Sequence, residues 1–346
     1  FLLRHQQPDG RFVYLYHGGQ DREVPAPYSI ARHAGSAYFL AQLAHLARWP
    51  AARAGCRRAL GWIEHHALRR CGSPAALCID SGGIGSVGAT ALTAMAAAEW
   101  LHSGDDAGVR SLLHGLVTFI LTMQRPDGEL MHDFDLLQRQ ARDVQHLYFS
   151  GEAAVALLLA HRVLSEPRIL PAVRRLMRHL TGKGWRFFGS HYYFGEEHWT
   201  CQAAALAARH MRVGQARDFC LRWAAFSRAV QYQPGETPWA ASGAYGVGPL
   251  LPPRLTPVAS RTEAFISVWQ LAKAARHPDT SALQAQVQAG LGMLLRWQWR
   301  PGPVHQLANP AAAHGAIPGS PTSLEVRNDF VQHAGSAMLR WAWRAP

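Results

Sequence analysis

His33-Ala-Gly-Ser-Ala37 is repeated letter for letter as His333-Ala-Gly-Ser-Ala337, close to the far end of a chain of 346 residues. Four looser copies lie between them: Val87-Gly-Ala-Thr-Ala91, Ser150-Gly-Glu-Ala-Ala154, Thr200-Cys-Gln-Ala-Ala204 and Arg261-Thr-Glu-Ala-Phe265. Each copy is built largely of small residues and runs into an Ala/Leu-rich stretch, as at 38–46, 92–101 and 153–164. Those stretches are apolar nearly all round, the pattern of helices packed on more than one side.

Between the copies lie segments with one apolar face and arginines on the other, at 52–67, 109–124, 170–181, 216–230 and 282–297. Their periodicity predicts amphipathic helices, and residues 1–6 read as the tail of a sixth. Several stop at related loops, Gln7-Pro-Asp-Gly10, Arg125-Pro-Asp-Gly128, Gln233-Pro-Gly-Glu236 and Arg300-Pro-Gly-Pro303, where proline and glycine end a helix and make a tight turn. Aromatic-rich pieces after the turns, such as Arg11-Phe-Val-Tyr-Leu-Tyr16, suit short strands. Six inner helices alternating with six outer ones predict an all-α fold, a closed toroid of six helical hairpins with short β pieces in the loops. No Ser/Gly-rich linker interrupts the pattern, so residues 1–346 read as one domain, with 249–257 a Pro-rich loop at a cavity mouth.

Composition narrows the function. Hydrophobic residues make up 48% of the chain and charged residues 17%, which excludes a disordered chain. No apolar run is long enough for a membrane span. The net charge is +12, yet only Lys183 and Lys273 are lysines, and the arginines are scattered without a nucleic-acid-binding motif. Arginine and alanine enrichment together point to a GC-rich bacterial coding sequence, and no nucleic-acid partner is expected. Five cysteines without CxxC spacing make a disulfide framework improbable, although Cys71 and Cys78 could close one loop in an oxidising compartment. The start at Phe1 is compatible with a lost N-terminal segment, and the compartment, cytoplasmic or periplasmic, is left open.

The hairpin pattern resembles the (α/α)6 toroids, a group that includes six-hairpin glycosidases, uronyl hydrolases, sugar epimerases, lanthionine cyclases and terpenoid cyclases. Gln6-x-Pro8-Asp9-Gly10-x-Phe12 is similar to the QW repeats of terpenoid cyclases, but their Asp-x-Asp-Asp motif is absent, with Asp133-x-Asp135 only a fragment of one. The zinc motifs of the lanthionine cyclases, Trp-Cys-Tyr-Gly and Cys-His-Gly, are absent too. The resemblance therefore implies an architecture without carrying over a residue set.

In such a toroid the inner helices run parallel, so their N-terminal ends converge on one end of a cavity and favour anions there. The residues at those starts are the candidate site. Glu152 and Glu263 are read as the catalytic acid and base, with Glu197 and Asp329 in reserve, since glycosidic cleavage needs two carboxylates. His33, His198 and His333 would shuttle protons or hold hydroxyls. Arg32 and Arg261 would recognise a carboxylate or phosphate, with Arg327, Tyr28, Tyr148 and Trp199 also binding the substrate. A metal is the competing chemistry: His198 and Cys201 stand three apart on one turn, and His33 or His333 would add a third zinc ligand. Otherwise no cofactor is expected. The leading expectation is a carbohydrate-active enzyme, a hydrolase, lyase or epimerase, on an anionic oligosaccharide or polysaccharide. A metal-dependent cyclase or transferase acting on an isoprenoid diphosphate or peptide, and a non-catalytic toroid scaffold, are the rivals.

Overall fold

A computed structural model describes residues 1–182, 198–233, 235, 239–246, 253–300, 302 and 305–343. In chain order, β1 (Leu15–His17) and β2 (Arg22–Glu23) precede α1 (Ile30–Leu46) and α2 (Pro50–His66). Strands β3 (Leu68–Arg70), β4 (Leu77–Asp80) and β5 (Ile84–Ser86) lead into α3 (Val87–His102) and α4 (Ala107–Thr122). Strands β6 (Asp133–Asp135) and β7 (Gln140–Arg142) are followed by α5 (Phe149–His161), α6 (Ile169–Thr181), α7 (Trp199–Ala207) and α8 (Gly214–Ala229). The chain continues through α9 (Leu255–Ala274), α10 (Thr280–Trp297), the short α11 (Pro310–Ala313) and β8 (Glu325–Arg327) to α12 (Asn328–Trp343).

Helices α1, α3, α5, α7, α9 and α12 pack in that order around an axis, and α12 returns to α1 to close the ring. Outside it, α2, α4, α6, α8 and α10 each pack on the inner helix that precedes them. The chain is thus an (α/α)6 toroid. Burial follows the sequence pattern. Every residue of α3 from Val87 to Leu101 is buried. In α6 the buried Ile169, Ala172, Val173, Leu176, Met177 and Leu180 form one face, and Arg174, Arg175 and Arg178 on the other are exposed. Residues 1–6 form turns rather than a regular helix and lie against α11, where Arg4 donates to the carbonyls of Ala312 and His314.

The turn motif has a second purpose that its proline and glycine do not explain. Gln6 donates its side-chain amide to the carbonyls of Gly10 in its own turn and Gly55 in α2. Gln124 does the same to Gly128 and to Ala172 in α6, and Gln231 to Gly243 and to Gln286 in α10. In these three places one amide therefore ties the end of one outer segment to the next outer helix. The turns also press close. Gly10 (φ +101°) and Gly128 (φ +99°) are left-handed, and an added Cβ would come within 2.2 Å of the Arg58 carbonyl oxygen and 2.6 Å of that of Arg175. Only glycine fits such a position.

Serine and aspartate set the helix starts. Ser29 caps α1, Ser86 caps α3 and Asp106 caps α4, each accepting from a first-turn N–H. The strands sit just before inner helices, in two antiparallel sheets of order β2-β1-β8 and β3-β4-β5-β6-β7. Because β8 runs straight into α12 and pairs Val326 with Tyr16, the first sheet ties the two ends of the chain together where the ring closes. The glycine-rich run Asp80–Gly85 is the tight turn between β4 and β5, with Gly82 and Gly83 both left-handed.

The cysteines correct the sequence expectation. Two disulfides form, Cys71–Cys78 within the second sheet and Cys201–Cys220 between α7 and α8. The second was missed because the partners lie on separate helices that only hairpin packing brings together. Cys56 is the remaining thiol, buried in α2.

Candidate functional site

At the N-terminal ends of the inner helices the ring opens into a cavity of about 450 Å³. Its lining includes Arg32 from α1, Tyr148, Phe149 and Glu152 around the start of α5, and His198 and Trp199 at the start of α7. Arg254, Thr256 and Ser260 come from the start of α9, and Arg327, Asp329, Gln332 and His333 from β8 and α12. A shallower hollow of about 670 Å³ adjoins it, sharing Ser29, Arg32, Arg254 and Arg327 and adding Tyr14, Tyr28 and Phe330.

The floor carries the most specific arrangement. His333 Nδ1 lies 2.7 Å from Glu263 Oε2, and the Glu263 side chain is only 1% exposed. Glu263 stands behind the imidazole, outside the cavity lining. Helix α9 begins at Leu255, so Glu263 is two turns deep rather than at a helix start as the sequence pattern implied. Burial works to depress the His333 imidazole, but the carboxylate outweighs it and holds the imidazole above its ordinary value. The His198 ring lies edge-on to that of His333 with centroids 5.2 Å apart, and it packs between Tyr148 and Trp199. One ligand atom each from His198, Glu263 and His333 falls within 4.8 Å of the others, so this set can also hold a metal ion. Cys201 does not belong to it: its sulfur is bonded to Cys220, which withdraws the thiolate from the proposed zinc set.

The wall is ionic. Asp329 takes Arg32 Nε at 3.1 Å and Arg327 at 2.6 and 2.9 Å, while Arg32 also donates to the Tyr14 hydroxyl at 2.7 Å. Asp329 is thus committed to two guanidiniums, which occupy both of its oxygens. With Arg254, three arginines face two carboxylates, Glu152 and Asp329, across this lining.

Other expected residues lie elsewhere. His33 is fully buried a turn inside α1, with Nδ1 bonded to the Tyr28 hydroxyl at 2.7 Å and Nε2 to the Ala59 carbonyl at 3.0 Å. Its ring stacks on Trp62, and burial pushes its pKa down to about 4. It is a neutral packing residue, and Tyr28 serves as its partner while edging the adjoining hollow. Arg261 lies over the Tyr245 ring at 4.7 Å, outside the cavity lining. Glu197 lies outside the described residues. Arg254 was not singled out in the sequence, although it lies within 249–257, the Pro-rich stretch read as a loop at a cavity mouth.

The buried Glu129 network is structural. His132 Nδ1 accepts from the His146 N–H at 2.7 Å, so Nε2 carries the proton and donates to Ser150 Oγ, whose hydroxyl in turn donates to Glu129. A serine that receives the histidine's proton is not activated as a nucleophile.

No protein-family model matches the chain, and no curated protein sequence matches it. Solved structures share its fold. A D-mannose isomerase aligns with a TM-score of 0.70 at 10% identity, covering 98% of this chain and 94% of that one. A cellobiose 2-epimerase from Bacillus thermoamylovorans gives 0.69 at 10% identity, over 98% and 95%. An unsaturated glucuronyl hydrolase specific for heparin gives 0.67 at 10% identity, over 98% and 93%. What this chain shares with all three is the (α/α)6 toroid.

Proposed function

We propose that this protein is a carbohydrate-active enzyme that moves a proton on the carbon next to the carbonyl of a reducing sugar, as an epimerase or aldose–ketose isomerase. The observation that carries this reading is the His198–His333 pair on the cavity floor, with Glu263 behind His333. His333, its protonated form favoured by Glu263, is the acid. His198 is the base, taking the proton from carbon to leave an enediol(ate). His333 then delivers a proton to the other face of that carbon, or to the neighbouring carbon. The arginines of the wall fit a sugar bearing a carboxylate, and the adjoining hollow leaves room for further sugar units. Names of fold relatives, a mannose isomerase and a cellobiose epimerase, agree with this chemistry.

Glycoside hydrolysis by Glu152 and Glu263 is less well served, because Glu263 is absent from the cavity lining and Asp329 is neutralised by two arginines.

The test is incubation with neutral and uronate-terminated reducing sugars in D2O, followed by NMR. Deuterium should enter at C2, or at C1 in the ketose direction, and both His198→Asn and His333→Asn should slow it by about 10²- to 10⁴-fold. Release of new reducing ends without deuterium incorporation would replace this reading with the hydrolytic one.

A further inference from the structure

The far end of the ring holds a second cluster. His45, in the last turn of α1, places Nδ1 2.8 Å from Glu99 Oε2 in α3. His102, one turn beyond Glu99, places Nδ1 3.5 Å from the same oxygen. One ligand atom from each of the three lies within 4.8 Å of the other two. The Glu99 and His102 side chains are each 9% exposed and that of His45 27%, so the cluster is nearly closed but reachable from one side.

Its hydrogen bonding is incomplete. Beyond the loose 3.5 Å contact of Nδ1 with Glu99, neither ring nitrogen of His102 has a hydrogen-bond partner among the described residues, and the ring sits 5.2 Å from that of His45. Imidazole nitrogens shut off from water without a well-formed hydrogen bond carry a desolvation cost, and here one of them lies beside a carboxylate already shared with a second imidazole.

We propose that His45, Glu99 and His102 form a zinc site that clamps α1 to α3, separate from the catalytic cavity. Two imidazole nitrogens and one carboxylate oxygen are a donor set that Zn²⁺ takes readily. Bond lengths of about 2.0–2.2 Å put neighbouring ligands of a tetrahedron about 3.3–3.6 Å apart; the His102–Glu99 distance of 3.5 Å falls in that range, and the His45–Glu99 distance of 2.8 Å would open slightly on binding. The fourth position opens on a small cavity of about 80 Å³ that His45 and Glu99 line together with Arg162, Arg209 and Arg340. Those guanidiniums favour hydroxide or another anion as the fourth ligand. The ends of α1 and α3 also present carbonyl dipoles, which favour a cation.

The test uses the purified full chain, stripped with a chelator, dialysed and titrated with ZnCl₂, then with Co²⁺ for its visible bands. The expected result is one Zn²⁺ per chain retained by the wild type and by His333→Ala, with a rise in Tm on zinc addition. His45→Ala and Glu99→Gln should weaken that binding by more than about a hundredfold and abolish the Tm rise. If both clusters bind, two equivalents should fall to one in either His45→Ala or His333→Ala, which also supports the site. His45 is partly exposed at a helix end, so its variant carries the test even if Glu99→Gln fails to fold. Absence of stoichiometric zinc, or zinc that survives His45→Ala and disappears in His333→Ala, would overturn the proposal.

Discussion

Replacing Glu263 by Gln is the sharpest perturbation of the proposed acid–base pair, because it keeps the shape and removes the charge. In the wild type a carboxylate oxygen sits 2.7 Å from His333 Nδ1 with almost no access to water. A buried charge-assisted hydrogen bond of this kind favours the imidazolium by about 1.5–3 kcal/mol, which at about 1.4 kcal/mol per tenfold is roughly a ten- to hundredfold loss of the protonated form when removed. The expected result is a fall in kcat of roughly ten- to a hundredfold at neutral pH, and an alkaline limb of the kcat pH profile moved toward lower pH. Stability should follow the same sign. His333 has a raised folded value, so its contribution is fully present below the unfolded histidine value of about 6.5 and fades as pH rises through the folded one. Urea unfolding should therefore separate wild type from Glu263→Gln more widely at acidic than at alkaline pH. A variant with lowered Tm but an unmoved alkaline limb would refute the reasoning, because it would assign Glu263 a packing role alone.

Three further outcomes are expected. Gln124→Met removes two hydrogen bonds of 3.0 Å, to the Gly128 and Ala172 carbonyls; it should cost about 1–3 kcal/mol in chemical denaturation, while Gln138→Met, on the surface, should cost almost nothing. Cys201→Ser opens a bridge spanning 19 residues and should cost about 3 kcal/mol, and in the oxidised wild type thiol titration should find one sulfhydryl, only after denaturation, since burial pushes the Cys56 thiol up to about 12. Arg254→Met should raise KM for a uronate-terminated sugar by roughly ten- to a hundredfold and change KM for its neutral analogue little, read by parallel saturation curves.

The architecture was legible because the rule that generates it is local. A helix buried on several sides must be built of small and apolar residues, and Ala34, Ala37, Ala334 and Ala337, all fully buried, show that demand at both ends of the chain. The site was less legible because its geometry depends on where each helix starts. Arg261 and Glu263 occupy the copy of the repeat in α9, but that helix begins at Leu255, earlier relative to its repeat than α7, and so sinks them below the floor. The same offset brings Arg254, from the Pro-rich stretch ahead of the helix, to the cavity wall. Pairings across helices, such as Cys201 with Cys220 or Gln231 with Gln286, leave no spacing signature, since hairpin packing alone decides which residues meet.

The polarity of the ring bears on both ends at once. All six inner helices point the same way, so one face of the toroid collects positive helix ends and the other negative ones. Glu152 and Asp329, in the first turns of α5 and α12, sit where the positive end favours a carboxylate. His45, His102, His161, Lys273 and Arg340 stand in last turns, where a cation is favoured. Helix dipoles alone would account for each of these. They do not account for Glu99, a buried carboxylate three residues from the end of α3, at the face that repels it. Its placement there calls for compensating positive charge, which the guanidiniums of Arg162, Arg209 and Arg340 along the same small cavity and a divalent cation held by His45, Glu99 and His102 can each contribute. Comparing the stability lost in Glu99→Gln between zinc-loaded and zinc-stripped protein therefore bears most directly on why Glu99 is there: a loss confined to the loaded form assigns it to the metal, and an equal loss in both assigns it to the arginines.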